Sequence, residues 1–114
     1  MKQQPDYKYN ALLNYIYDGD TINVDIDLGF GIWIKDQNIR LFGINTPEIK
    51  GESRVNGLMA KGRLKSLLQN KPIVIETIKD RKEKYGRWLG NIYVEDVLIN
   101  MVLVAEGLAV VYNG

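Results

Sequence analysis

The sequence predicts an α+β fold dominated by strands: a five-stranded OB-type barrel with a helix after the third strand and a short C-terminal helix. Three observations lead there. A chain of 114 residues suits one domain, residues 1–114. Short β-rich stretches recur between Gly, Asp and Pro punctuation. A single long helical stripe interrupts them after the third, giving the order β-β-β-α-β-β-α.

The elements follow in order. Residues 1–6 are polar and are expected to be flexible. Residues 7–17, YKYNALLNYIY, read as a strand ended by the turn signal Asp18-Gly19-Asp20. Thr21 to Leu28 alternates strictly, with Ile22, Val24, Ile26 and Leu28 against Thr21, Asn23, Asp25 and Asp27. That is a half-buried strand. Gly29-Phe30-Gly31 is a hairpin connection, and Ile32 to Ile44 a further strand, bent or interrupted near Asp36-Gln37-Asn38 and stopped by Pro47. Ser53 to Gln69 places Ala60, Leu64, Leu67 and Leu68 on one helical face. Gly57 and Gly62 lie inside this helix, where each costs about 1 kcal/mol against Ala. The spacing implies either close packing at these positions or a weak helix. Met59 and Met101 read as gap-fillers in the core. Strands are expected at Ile73 to Ile78 and Trp88 to Val94, and a short helix at Ile99 to Glu106 closed by Gly107. Leu108 to Tyr112 supplies an edge strand.

Composition narrows the chemistry. The chain contains no His and no Cys, which excludes Ser-His-Asp triads, His ligands, disulfides and thiol catalysis. The net charge is only +1, so a nucleic-acid partner needs local clustering of cations. No apolar run approaches the ~20 residues of a membrane span. The start of the chain lacks the apolar region of a secretory signal, so a cytoplasmic protein or a trimmed mature form is expected.

Five features carry possible chemistry. Asp18-Gly19-Asp20-Thr21 aims two carboxylates at one point around a sharp turn, as a hard cation requires, although Asp and Gly are also ordinary turn residues. Arg40, between Ile39 and Leu41, faces away from them; it is either a solvated strand residue or a rigid phosphate fork. Asn45-Thr46-Pro47-Glu48 offers an amide, a hydroxyl, backbone oxygens and a carboxylate, with Pro47 limiting their freedom. Lys79 to Arg87 reads as a basic loop carrying Tyr85, suited to a nucleotide strand or simply to water. Tyr112, Trp88 and Tyr93 are base platforms or core.

These motifs, in this order, resemble the staphylococcal nuclease (thermonuclease-like) family: Asp18-Gly19-Asp20-Thr21, Ile39-Arg40-Leu41, Thr46-Pro47-Glu48, Lys84-Tyr85-Gly86-Arg87 and Gly107-Leu108-Ala109. The resemblance covers about residues 7–112. It implies a calcium-dependent phosphodiesterase that hydrolyses DNA and RNA; single-stranded nucleic acid is the expected partner and a monomer the expected state. It assigns Asp20, residue 45 and the Thr46 carbonyl to Ca2+, with Asp18 ordering metal-bound water. Arg40 and Arg87 would bind phosphate, and Glu48 would be the general base. Lys84, Tyr85 and, more loosely, Tyr112 would line the nucleotide site. Asn45 departs from the family's metal-binding Asp, so weaker or altered ion binding is expected. The competing expectation is an OB module that binds nucleic acid without cutting it.

Overall fold

A computed structural model describes residues 7–82 and 85–113. The strands are β1 (Lys8–Asp18), β2 (Thr21–Gly29), β3 (Ile32–Leu41), β4 (Ile44–Asn45), β5 (Ile73–Lys82), β6 (Trp88–Val94), β7 (Val97–Leu98) and β8 (Val110–Val111). Two helices, α1 (Arg54–Leu68) and α2 (Ile99–Ala105), follow β4 and β7. A 3-10 turn at Gly51–Ser53 leads into α1.

The main sheet runs β3-β2-β1-β5-β6-β7, and β3 meets β6 in parallel at Ile39↔Trp88, Arg40↔Leu89 and Leu41↔Gly90. That last pairing closes a five-stranded barrel, which removes the open edges a flat sheet would expose. Its interior holds Ile22, Val24, Ile39, Leu41, Ile75 and Ile92, with Leu64 and Leu68 of α1 and Leu103 of α2 packed on it. Gly90 sits where a Cβ would lie 3.1 Å from Ile39 and 3.2 Å from Ile75, so a side chain there would press both isoleucines back by a few tenths of an ångström.

Several expectations are corrected. The strand predicted for 32–44 is continuous to Leu41 and accommodates its bend as a bulge. Val24 pairs with Gln37 but Ile26 with Ile34, so Asp25 faces both Lys35 and Asp36, and Asp36 has φ 60°. A turn then separates β4. The alternation along β2 holds for Ile22, Val24 and Ile26, yet Thr21 and Asn23 are buried as well, and Leu28 is exposed beyond the barrel end. Met59 and Met101 are exposed on α1 and α2 rather than filling the core. Lys79–Lys82, expected in a loop, continue β5.

The two helix glycines divide. A Cβ on Gly57 would lie 2.7 Å from the Glu48 carbonyl oxygen, so α1 rests directly on the Pro47–Glu48 backbone. Gly62 has no neighbour within 4 Å, and nothing in the structure explains it. Buried Asn100, at the start of α2, ties the lower barrel together. Its Oδ1 accepts from Ile92 N–H at 3.0 Å, and its Nδ2 donates to Phe42 O at 2.9 Å and Gly90 O at 3.3 Å.

Candidate active site

The β1–β2 turn brings the two aspartates together. Asp18 Oδ1 accepts the Asp20 N–H at 3.0 Å, the local bond that makes Asp a turn residue. Gly19 is pressed against α1 and the β4 exit. A Cβ there would meet Ala60 Cβ at 2.7 Å and Thr46 Oγ1 at 2.8 Å. The turn is therefore seated on the helix, and its carboxylates are fixed relative to Thr46.

Asp20 is the centre of the cluster. Its Oδ2 accepts the Thr46 N–H at 3.0 Å and lies 3.5 Å from Arg40 Nη2. The two side chains are 11% and 12% exposed, so this ion pair is poorly screened. Arg40 also donates from Nη1 to Leu41 O at 2.8 Å and from Nη2 to Asn45 Oδ1. Thr21 joins the second arginine: its Oγ1 lies 3.4 Å from Asp20 Oδ1 and accepts from Arg87 Nη1 at 3.2 Å. The register explains the convergence. Asp18 pairs with Thr21, and Thr21 with Arg40, so one row across β1, β2 and β3 carries Asp18, Thr21 and Arg40, with Asp20 next to it in the turn. Burial pushes the Asp18 carboxyl up to about 6, and the hydrogen bond and negative charge of Asp20 add to the rise.

The structure thus joins Asp18, Asp20, Arg40, Asn45, Thr46 and Arg87. Arg40 is not a solvated strand residue, being half-buried and partnered within the cluster. Glu48 is bonded to none of them among the described residues. Its backbone carbonyl accepts Ser53 Oγ at 2.7 Å, while its carboxylate is 71% exposed and pairs with Lys50 at 3.4 Å. Tyr85 is exposed, with the Arg87 guanidinium 5.5 Å from its ring centre. Tyr112 N–H donates to Gly43 O at 2.8 Å, beside the β4–β8 pairing that holds Asn45 opposite Val110. Lys84 lies outside the described residues. Thr21 is the member that residue typing passed over; its place in the Asp-Gly-Asp-Thr run was the available signal.

The donor set fits a hard divalent cation. Two neighbouring carboxylates, an amide oxygen and backbone oxygens are the ligands such ions take. Among the described residues no group of three acidic side chains gathers to complete a cage, so phosphate or water oxygens would supply the rest.

The sequence profile described as "Staphylococcal nuclease homologue" matches residues 38–114. A thermonuclease of Staphylococcus intermedius is 36% identical over 101 residues, which is 86% of this chain and 56% of that protein. A thermonuclease of Staphylococcus hyicus is 37% identical over 97 residues, 82% of this chain and 54% of that protein. The endonuclease YncB of Bacillus subtilis is 36% identical over 104 residues, 88% of this chain and 46% of that protein. The chain spans about half the length of these curated relatives. With its closed barrel, its paired aspartates and this match over most of its length, the chain belongs to the staphylococcal nuclease homologue family.

Proposed function

We propose that this chain is a metal-dependent nuclease that hydrolyses phosphodiester bonds in DNA and RNA, with Ca2+ as its cation. The observation that carries the reading is the convergence of Asp20, Arg40 and Arg87 through Thr21 on one face of the barrel. Asp20, Asn45 and the Thr46 carbonyl would hold the ion, with Asp18 beside them. When bound, the cation supplies Lewis-acid polarisation of the phosphate and a template for it.

The chain's own groups do the rest. Arg40 and Arg87 present guanidinium forks that match the phosphate oxygens and stabilise charge growing in the transition state. Both are held in place before substrate arrives, Arg40 by Asp20 and Leu41 O and Arg87 by Thr21. Substrate phosphate therefore competes with Asn45 and Asp20 for Arg40. Glu48 is the candidate to take a proton from the attacking water; its carboxylate must swing from Lys50 to do so, and its exposure leaves that rotation open. Tyr85 and Tyr112 border the site as nucleotide contacts, and Lys84 joins them by its place in the motif. A single-stranded substrate and a monomeric enzyme complete the reading.

A labelled oligodeoxynucleotide incubated with Ca2+ or with chelator tests it, beside Arg87→Ala and Glu48→Gln. Calcium-dependent cleavage that falls about 10²–10³-fold in Arg87→Ala is expected. Binding without cleavage in either condition would instead support the binding module, which the outward pairing of Glu48 with Lys50 favours.

A further inference from the structure

The strand β1 carries two exposed tyrosines that the catalytic cluster does not use. Tyr15 is 51% exposed and Tyr17 66% exposed. Their outward position comes from bulges. Tyr9, Ala11 and Leu13 are the more buried positions of early β1, whereas Ile16 is the buried one afterwards. Leu13 pairs with Val24 but Tyr15 with Asn23, so one extra residue reverses the inside–outside phase of the strand. A second shift between Ile16 and Asp18 follows. The result is that Tyr15, Tyr17 and Asp18 share the outer face, and Asp18 heads the row that runs through Thr21 to Arg40.

The surface under the rings is ordered. Asn23, which faces Tyr15 across the strands, is buried; its Nδ2 donates to Asp36 and Asn38 at 2.8 and 2.9 Å, and its Oδ1 accepts from Asn14 at 2.9 Å. Two residues along a strand are about 6.6 Å apart. That backbone interval is about twice the ~3.4 Å rise of stacked bases, so the two tyrosines recur along the strand on the scale of a base stack. Strands lie about 4.8 Å apart, which sets Arg40 about 10 Å from the β1 end of its row. A chain whose phosphate meets Arg40 brings neighbouring bases over Tyr17 and then Tyr15.

We propose that the outer face of β1, bearing Tyr15 and Tyr17, is a base-stacking track for single-stranded nucleic acid leading into the Arg40–Arg87 site. The occupant follows from continuity with that phosphate-binding site, so the proposal rests on the nuclease reading. Stacking is tolerant of base identity because every base offers a π-face. The track therefore serves affinity for unpaired strands and carries little sequence preference.

The test measures binding by fluorescence anisotropy in chelator, so that no strand is cut. The probes are a deoxythymidine decamer and an abasic decamer of the same length. The parent protein should prefer the decamer with bases by tenfold or more. Tyr15→Ala with Tyr17→Ala should erase that preference, while Tyr15→Phe with Tyr17→Phe should keep it, since the rings remain. Unchanged preference in the alanine pair would overturn the proposal and leave this face to a protein partner or a second copy. Calcium-dependent cutting of the same decamer by the parent protein is read separately. Its absence would remove the nuclease reading, while the anisotropy result would still decide the stacking track.

Discussion

Gly19→Ala probes the seat of the Asp18–Asp20 turn. Gly19 does not have a positive φ, so the substitution meets no backbone penalty of its own. The cost is steric. The new Cβ would stand 2.7 Å from Ala60 Cβ, 2.8 Å from Thr46 Oγ1 and 2.9 Å from Thr46 Cβ. Ordinary carbon contacts lie at about 3.5–4.0 Å, so the turn must lift by roughly 1 Å. Overpacking of this kind costs about 1–3 kcal/mol. For a domain of this size that is a fall in Tm on the order of 5–15 °C, measured by circular dichroism. The same lift moves Asp18 and Asp20 away from Thr46 and Arg40. A displacement near 1 Å costs about 10²-fold in rate, read as cleavage of an oligonucleotide with divalent cation present. Ala60→Gly supplies the internal check. It removes the nearest obstacle but leaves both Thr46 contacts, so Gly19→Ala should cost measurably less in that background than in the parent. Equal cost in the two backgrounds, or a Tm within 1 °C of the parent for Gly19→Ala alone (a threshold of about 0.3 kcal/mol), would refute the seating of the turn on α1.

Three further outcomes follow from the same contacts. Asn100→Ala strips partners from the Ile92 N–H and from the Phe42 and Gly90 carbonyls, and should cost about 2–4 kcal/mol in urea unfolding at an unchanged m-value. Asn45→Asp adds a carboxylate beside Arg40 and Asp20, and calorimetric titration should show divalent-cation affinity rising about tenfold; an unchanged affinity would remove residue 45 from the proposed ion site. Asp18→Asn should stabilise the metal-free protein at neutral pH. A carboxyl raised from 3.8 to about 6 binds protons more tightly when folded, so its penalty develops as pH rises from about 4 to 6 and persists above. The variant's advantage in thermal melting with chelator should thus be full above pH 6 and vanish near pH 3.8.

Much of the barrel was legible in the residues. Alternation at Ile22, Val24 and Ile26, the stripe Ala60-Leu64-Leu68 and the stop at Gly107 are local patterns with local causes, and each element stands where they place it. The motif set also named the members that meet at Asp20, because each sits at a turn or strand end whose chemistry is written nearby in sequence. Met59 and Met101 are exposed where their apolar character points to the core, since an apolar side chain carries no mark of what covers its helix face.

Phase was beyond the sequence. One extra residue near Asn14 turns Tyr15 and Tyr17 outward, and another near Asp36 bends β3 without breaking it. A bulge is a misfit between two strands, so no single stretch announces it. Convergence was beyond it too. Arg87 lies 66 residues from Thr21 along the chain and 3.2 Å from it in space, because barrel closure at Arg40↔Leu89 carries one end of the fold to the other. Local propensity set the strands, the helices and the kinds of side chain available; only tertiary closure chose which charges share a face, and in which order a bound strand would meet them.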